Sequence, residues 1–372
     1  MIYLDYAAHT SINKEVYDAM YDISNAYIGS VNADYSIGID AKNKYIELSN
    51  DILSMSSLLD YELILNSSAT ESNNLAIKGI CDVYKMFGNH IITTPIEHSS
   101  VKGSINSMLK NNFEVDYVKL DKYGYVDIND LRKLIKPTTI LVSISAVSSE
   151  TGHIQNISNI SEIIKSTNSN IKFHIDATQG YGKINLPLNS ADLITASAHK
   201  IFGPTSGCGV LFRKNGVLLS PQIDGGKSMT IYRSATPDLV MLAAFHKSSE
   251  MMFNNIEENF NKVKQLSNII IEYCKKNDII INSDLNNPYI INISTKFDGE
   301  ALKNHLSQLG IYVSTKSSCV AKKSIPESVN NIYNDSKRAK NSLRISLSYK
   351  TTIDEISIFL EKLDEVLTNG KI

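Results

Sequence analysis

An acidic residue and a lysine each follow a short apolar run, about two dozen residues apart. Asp176 lies in F-H-I-D-A-T-Q, and Lys200 ends S-A-H-K. A lysine in such a place can hold a cofactor aldehyde as a Schiff base, and a carboxylate can keep a pyridine nitrogen protonated. Either residue alone is most often an ordinary charged residue. The pair predicts a site for pyridoxal phosphate (PLP).

Two more polar segments suit the same cofactor. Ser67–Thr70 precede a helical stretch, where exposed N–H groups and hydroxyls can bind a phosphate. On its own, this segment is more typical of a Ser/Thr helix cap with Glu71 in the first turn. His98 begins the next helical stretch. It can stack on a pyridine ring and transfer protons at neutral pH, whereas a lone histidine there is ordinarily only a helix-terminus residue.

Three side chains beside the Asp–Lys pair complete the predicted cofactor site. Gln179 follows Asp176 by three residues and can donate to the phenolic oxygen of PLP. Ser197 and His199 come just before Lys200, where a hydroxyl and an imidazole can contact the phosphate.

Two residues near the end of the chain point to a reaction on an amino acid. Arg344 can bind a carboxylate in bidentate fashion, although a single arginine on a strand usually forms a surface ion pair. Cys319 lies in a polar, lysine-flanked segment, where exposure and nearby cations favour the thiolate. Cys81 and Cys274 lie in helical stretches and Cys208 lies in a glycine-rich turn. Cys319 is therefore the best candidate for a reactive thiol.

The elements that must position these residues alternate along the chain. The predicted strands are Glu62–Leu65, His90–Thr93, Glu114–Leu120, Thr139–Ile144, Lys172–Ile175, Leu193–Ala196 and Gly209–Phe212. The predicted helices between them are Glu71–Phe87, His98–Lys110, Ile128–Leu134 and Ile157–Ser166. This alternation favours a mainly parallel sheet with helices on both faces, in which ligands bind beyond the carboxyl ends of the strands.

The pattern changes after the last of these strands. Leu239–Asn277 predicts one long helix or two adjoining helices. The following elements are strand Tyr289–Ile293, helix Gly299–Leu309, strand Tyr312–Ser314, an irregular, mobile polar loop over Ser317–Asn341, strand Ser342–Ser346 and helix Ile353–Leu367. We therefore predict a large α/β domain over residues 15–255. A smaller α+β domain takes residues 1–14 and 256–372.

Composition excludes several functional classes. The chain has 372 residues, 42% of them hydrophobic and 20% charged, which is typical of a soluble globular protein. A net charge of -2 favours neither nucleic acid nor an anionic membrane. No apolar run reaches membrane-spanning length, and no CxxC pair occurs among the four cysteines. The start, M-I-Y-L-D-Y, lacks a basic region followed by an apolar one, so we do not expect export. We expect a cytoplasmic protein without a structural metal site or disulfides.

Together, these motifs resemble the cysteine desulfurases, which are class V aminotransferase-type PLP enzymes of fold type I. The resemblance extends from Y-L-D-Y-A-A-H-T near the start to S-L-S-Y-K-T-T-I-D-E-I near the end. The motifs that carry it are A-T-E-S-N-N-L-A-I-K-G (69–79), E-H-S-S-V (97–101), H-I-D-A-T-Q (174–179), S-A-H-K (197–200), R-S-A-T (233–236), S-S-C (317–319) and L-R-I-S-L (343–347). The resemblance implies a mainly parallel seven-stranded sheet and a smaller α+β C-terminal domain.

The resemblance also implies roles for the residues that would hold PLP. Lys200 would carry the cofactor, Asp176 would pair with the pyridine nitrogen and Gln179 with the phenolic oxygen. His98 would be the ring-stacking acid/base.

The phosphate has its own set of implied contacts. They are Ala69, Thr70, Ser197, His199 and, from the neighbouring subunit of a homodimer, Thr236.

The implied reaction removes sulfur from L-cysteine. Arg344 would bind the substrate carboxylate. Cys319 would take the sulfur as a persulfide while L-alanine leaves. The long polar stretch after Cys319 resembles the subgroup that carries sulfur outward to an acceptor protein, such as an iron–sulfur scaffold.

Several positions depart from the family pattern. The usual Asn-Asn-Glu-x-Gly reads S-S-E-T-G here, so Ser149 replaces an asparagine that contacts both the cofactor and the substrate carboxylate. The segments Gly29–Tyr35 and Lys227–Ile231 differ as well. We therefore interpret the chain as a divergent member of the family. Two alternatives remain open: a cysteine or selenocysteine lyase or specialised pathway paralogue, and a non-catalytic protein that keeps PLP for stability.

Overall fold

A seven-stranded sheet forms the framework that holds the predicted site. The computed structural model describes residues 1–226, 228–316 and 325–370. The strands of this sheet are β2 (Tyr61–Asn66), β3 (His90–Thr93), β4 (Glu114–Tyr117), β5 (Thr139–Ser145), β6 (Lys172–Asp176), β7 (Leu193–Ser197) and β8 (Gly209–Lys214). Their order is β2-β8-β7-β6-β5-β3-β4, and only β8 runs antiparallel to its neighbours. The mainly parallel sheet predicted from the sequence is confirmed.

Alternating side chains of these strands enter two separate cores. In β3, Ile91 packs in one hydrophobic cluster and Ile92 in the other; Leu141 and Val142 of β5 divide in the same way. Successive residues of a strand point to opposite faces, so an all-apolar strand needs cover on both sides. The helices supply that cover.

The helices have the following bounds. They are α1 (Lys14–Ala26), α2 (Ser36–Met55), α3 (Ala69–Tyr84), α4 (Ser99–Leu109), α5 (Ile128–Leu134), α6 (Ile157–Thr167), α7 (Leu239–Asn254), α8 (Ile256–Lys276), α9 (Gly299–Gln308), α10 (Glu327–Tyr333), α11 (Ser336–Lys340) and α12 (Ile353–Asn369). Residues of α3 and α4 pack in one core, and residues of α2, α6 and α7 pack in the other. None of the helices in the described ranges is long and apolar enough to cross a membrane.

Two smaller sheets lie beside the main one. Strands β9 (Ile280–Ile281), β10 (Ile290–Ser294) and β12 (Ser342–Ser346) form an antiparallel sheet in the order β12-β10-β9. Strands β1 (Ile2–Tyr3) and β11 (Ile311–Tyr312) pair in parallel. This α+β arrangement agrees with the fold class implied by the sequence. The domain boundaries at residues 15–255 stay a prediction.

One predicted element is wrong within the described residues. The stretch before β12, predicted to be an irregular loop up to Asn341, contains α10 and α11. Asp335 caps α11 by accepting from the backbone N–H of Arg338 at 2.9 Å. The amphipathic pattern of such short helices is too brief to read from sequence. The earlier part of the predicted loop, residues 317–324, lies outside the described residues.

Candidate active site

A cavity of about 180 Å³ opens beyond the carboxyl ends of β5, β6 and β7. Its walls contain most of the residues selected from the sequence: Ala69, Thr70, His98, Ser149, Asp176, Gln179, His199, Lys200 and Arg344. Residues that the sequence analysis did not select also line it, among them Ala7, Ala8, Ser145 and Thr178. The structure thus brings together segments separated by up to 337 positions along the chain.

Asp176 ends β6 at one wall of the cavity. Its side chain is buried, and Oδ2 accepts from the Asn73 side-chain amide at 2.8 Å. Oδ1 accepts from the backbone N–H of Thr178 at 3.0 Å. Two N–H donors therefore hold the buried carboxyl group in place at the cavity wall, where it can accept a hydrogen bond from a heterocyclic N–H.

Lys200 reaches the cavity from the short turn after β7. Its Nζ donates to the backbone carbonyls of Ala7 and Ala8, at 2.8 and 2.5 Å. These carbonyls follow β1, a segment to which the sequence analysis assigned no role. Gln179 joins the same group because its side-chain amide donates to the Ala7 carbonyl at 2.9 Å. The N-terminal segment therefore orients two of the predicted site residues.

A second lysine lies under this group. Lys183 is buried, and its Nζ donates to Gln179 Oε1 at 3.3 Å. Burial, and then the charge of Lys200, lower the pKa of Lys183 to about 7. Lys183 lines a smaller cavity next to the main one and does not line the main cavity itself. Lys200 is therefore the lysine that can contact a ligand in the main cavity.

The start of α3 also lines the cavity. Ser68 caps the helix by accepting from the backbone N–H of Glu71 at 3.2 Å, so the cap predicted for this segment is present. Among the described residues, no protein group accepts from the backbone N–H of Ala69 or Thr70. A Cβ on Gly209 would lie 2.2 Å from the Ser68 carbonyl carbon, so glycine is needed for β8 to pass this close. An anion can use the two open N–H groups.

His199 borders the cavity in a neutral state. Its Nδ1 lies 2.8 Å from Ser197 Oγ, and its ring stacks on His9 with 5.9 Å between centroids. Burial, followed by the charge of Lys200, lowers the pKa of His199 to about 3.

Arg344 enters from β12, in the small antiparallel sheet. The guanidinium is almost fully buried, with Nη1 donating to the Ser149 carbonyl and Nη2 to Asp5 Oδ1, each at 2.7 Å. Among the described residues, its Nε has no partner. A buried guanidinium with one unused N–H donor at a cavity wall can bind a planar anion such as a carboxylate.

The turn that carries Ser149 is tied to the small sheet. Asn292 Nδ2 donates to the Glu150 carbonyl at 3.0 Å, and Asn287 Nδ2 donates to the Gly152 carbonyl at 2.8 Å. Glu150 Oε2 also accepts from the backbone N–H of Ser328, in the first turn of α10, at 3.0 Å. Through these contacts, one turn connects the main sheet with the small sheet and with the helix that follows residues 317–324.

Two predicted residues that the structure describes do not line the cavity, and a third lies outside the described residues. Ser197 is buried, and its hydroxyl lies 2.8 Å from His199 Nδ1 and 3.2 Å from the Cys208 carbonyl. Thr236 is exposed, in the segment before α7. Cys319 lies outside the described residues, so its place is not assigned by the structure.

The other three cysteines are poor candidates for a reactive thiol. Cys81, Cys208 and Cys274 are all buried. Burial raises the pKa of each thiol, that of Cys274 to about 12. A thiol held protonated is a weak nucleophile, which supports the choice of Cys319 made from the sequence.

The cavity fits PLP by the chemistry of its donors. A buried carboxylate, a lysine and two open helix N–H groups match the ring nitrogen, the aldehyde and the phosphate, respectively. Thr178 Oγ1, at the cavity wall, is a buried hydroxyl without a partner among the described residues. Such a polar atom is satisfied when a ligand is bound beside it.

Comparisons with known proteins identify the class of enzyme. Residues 2–359 match the family model of class-V aminotransferases. The cysteine desulfurase IscS of Dictyoglomus turgidum is 32% identical, over 98% of this chain and 94% of its own length. IscS of Buchnera aphidicola from Schizaphis graminum is 36% identical, over 95% and 90%. A solved NifS-like protein superposes with a TM-score of 0.91 at 29% identity, covering 99% of both chains. The chain belongs to the cysteine desulfurases, a family of PLP-dependent sulfurtransferases.

A buried carboxyl beside the cavity gives a prediction about stability and pH. Glu97 accepts from Thr94 Oγ1, from the Ser145 backbone and from Ser145 Oγ, and burial raises its pKa to about 7. Its folded-state pKa is above its unfolded value, so the folded state binds more protons between about pH 4.5 and 7. Stability from this group is present below that range and is lost as the pH rises through it.

The Glu97→Gln variant, which does not titrate, should lack this loss. Between pH 5 and pH 8, the unfolding free energy of wild type should fall by on the order of 3 kcal/mol more than that of the variant. Urea unfolding at both pH values measures the difference. Parallel changes in the two proteins would show that Glu97 is ionised throughout this range.

Proposed function

We propose that this protein removes sulfur from L-cysteine with PLP held on Lys200. The sulfur passes to Cys319 as a persulfide, L-alanine is released and an acceptor protein then takes the sulfur. Family membership supports the activity, since the relatives at 32% and 36% identity are named cysteine desulfurases. The observation that carries the proposal is the convergence of Asp176, Lys200 and Arg344 on one cavity.

The cofactor would supply an electron-withdrawing ring that stabilises negative charge developing on the substrate. The protein's own residues would bind the cofactor and fix its orientation. Asp176 would pair with a protonated ring nitrogen, and Gln179 is held by the Ala7 carbonyl with its amide beside the cavity. The open N–H groups of Ala69 and Thr70 suit the phosphate.

Arg344 would bind the substrate carboxylate, which places the rest of the amino acid toward Lys200. Ser149 stands where the family has an asparagine, and in this structure its backbone carbonyl, not its side chain, is the group in contact with the guanidinium. The substrate carboxylate therefore depends more on Arg344 alone than it would with an asparagine amide present.

The proposed sulfur transfer balances without a further reactant. The Cys319 thiolate forms a bond to the substrate Sγ, and the Cβ–Sγ bond breaks. The electron pair of that bond stays with the carbon, which takes up a proton to complete L-alanine. The product on the enzyme is a persulfide, whose outer sulfur is ready for transfer to an acceptor thiol.

A test variant arises from the partner of Arg344. In Asp5→Asn, the amide oxygen still accepts from Nη2 but no longer competes as an anion for the guanidinium. We expect the KM for L-cysteine to fall severalfold. The unfolding free energy should fall by about 1–3 kcal/mol, because a buried cation loses its counter-charge.

Steady-state kinetics and urea unfolding of the same preparation test both effects. Asp60→Asn makes the same change at an exposed aspartate just before β2, is the matched control and should change neither quantity. A raised KM in Asp5→Asn would mean that Asp5 assists carboxylate binding.

The reaction is identified by its products. The purified protein is incubated with L-cysteine, and alanine, pyruvate and sulfide are measured together. Alanine with enzyme-bound persulfide supports the proposal, whereas pyruvate with sulfide supports a lyase. A cofactor spectrum that does not respond to L-cysteine would favour a non-catalytic protein.

The proposed assembly is a homodimer in the cytoplasm, with Thr236 reaching the partner's phosphate site. Its exposed position agrees with such a role. Sedimentation of the loaded protein tests the dimer. Faster loss of cofactor on dialysis from Thr236→Ala than from wild type would support the shared site.

A further inference from the structure

Asn73, in the first turns of α3, connects two sides of the cavity. The residue is completely buried, and its Nδ2 donates to Asp176 Oδ2 and to Ser100 Oγ, each at 2.8 Å. An ionised carboxylate can only accept, so the amide nitrogen, and not the oxygen, must face Asp176. Both hydrogens of that nitrogen are then used, and one of them goes to Ser100.

Ser100 connects Asn73 to His98 through hydrogen bonds. Its hydroxyl oxygen accepts from Asn73 and lies 2.8 Å from His98 Nδ1. The backbone N–H of Ser100 donates to the same Nδ1 at 3.2 Å, as a helix cap. A backbone N–H can only donate, so Nδ1 must be the unprotonated nitrogen of the ring. In a neutral imidazole, the hydrogen then lies on Nε2.

We infer that Asn73 and Ser100 are positioning residues that hold His98 as its neutral Nε2–H tautomer and link its ring to Asp176. Among the described residues, Nε2 has no hydrogen-bond partner, and His98 lines the cavity. The N–H is therefore available to a molecule bound there.

This assignment limits what His98 can do. A neutral ring with a hydrogen on Nε2 can take a proton only at Nδ1, where two donors already point. His98 would thus donate a hydrogen bond to the bound cofactor or substrate but would not act as a base. Resting on the proposed function, this leaves Lys200 as the amine at the cavity wall that can move the substrate's proton.

The charges around His98 do not alter this conclusion. Burial lowers its pKa most strongly, and the charges of Lys200 and Lys102 lower it further. Asp176 and Glu150 act in the opposite direction. The net direction is downward, in agreement with a ring that stays neutral at physiological pH.

The test observes the imidazole itself. Protein labelled with ¹⁵N-histidine and loaded with PLP is studied by long-range ¹H–¹⁵N correlation between pH 5 and pH 8. The His98 signals are assigned by their loss in His98→Asn. We expect one nitrogen of the unprotonated acceptor type and one N–H at pH 7, with the Nε2–H pattern.

Two serine variants test whether the Ser100 hydroxyl determines the protonation of His98. Ser100→Ala removes the hydroxyl donor, so the His98 titration midpoint should rise by roughly half to one pH unit. Ser99→Ala makes the same change one residue earlier, where no side-chain contact to His98 exists among the described residues, and should match wild type. Melting temperatures of all variants show that they are folded.

Two results would overturn the inference. One is a wild-type His98 that is doubly protonated, or protonated at Nδ1, at pH 7. The other is an unchanged midpoint in folded Ser100→Ala. Failure of the proposed function would be seen separately, as no alanine from L-cysteine, because the tautomer is measured without turnover.

Discussion

Lys200→Ala should stop turnover of L-cysteine while leaving the protein folded. The amine lies 2.8 Å from the Ala7 carbonyl and 2.5 Å from the Ala8 carbonyl, at the wall of the cavity. Its loss removes both the proposed attachment point of PLP and the group proposed to move the substrate's proton. Proton transfer by a positioned side chain alone contributes about 10²- to 10⁴-fold to a rate, so we expect at least this decrease in kcat.

Lys200→Arg distinguishes the reactivity of the Lys200 amine from its positive charge. A guanidinium can donate to the same two carbonyls and keeps the positive charge, but it stays protonated and cannot attack an aldehyde. We expect the arginine variant to be as inactive as the alanine variant and closer to wild type in stability. Activity near that of wild type in either variant would contradict the role given to Lys200.

Chemical trapping locates the attachment. Reduction of the loaded protein with borohydride, followed by peptide mapping, should place the cofactor on Lys200. Lys183 is the internal comparison, since it is buried beside Gln179 and its pKa is lowered to about 7. A label on Lys183 would show that the second lysine carries PLP.

Cys319→Ala should abolish persulfide formation without affecting cofactor binding. Removal of a nucleophile from a group of residues that act together costs a large factor, and we expect alanine release to fall by roughly 10³-fold or more. The three remaining cysteines are buried with raised pKa values, so they are unsuited to replace it. The absorption spectrum of the bound cofactor should match that of wild type.

Ser318→Ala is the neighbouring control. It truncates a side chain one residue earlier and should retain most of the wild-type activity. Equal losses in the two variants would show that the segment matters for a reason other than its thiol. Unchanged turnover in Cys319→Ala would rule out the persulfide route.

The strands were the most predictable part of the fold. Thr139–Ser145 is buried along its whole length, so its apolar run was visible in the sequence. The predicted strand Glu114–Leu120 ends at Tyr117 in the structure. This strand lies at the edge of the sheet and pairs with one strand only. The residue at which that pairing ends was therefore not visible in the pattern of apolar and polar side chains.

Site residues were predictable where a local sequence pattern marked them. Asp176 and Lys200 were found because each ends a strand-like run, and parallel strands place such ends along one edge. The contacts from the N-terminal segment could not be predicted in this way. Asp5 meets Arg344 and the Ala7 carbonyl meets Lys200 only because distant segments fold together, and backbone carbonyls carry no residue-type signal.

Mapping of the transferred sulfur tests the central claim most directly. The loaded protein is given one equivalent of L-cysteine without reductant, its thiols are alkylated, and its peptides are analysed by mass spectrometry while alanine is measured. We predict one extra sulfur on the peptide that contains Cys319, with one alanine released per persulfide. Extra sulfur on Cys81, Cys208 or Cys274, or pyruvate and sulfide with no persulfide, would contradict the proposed function.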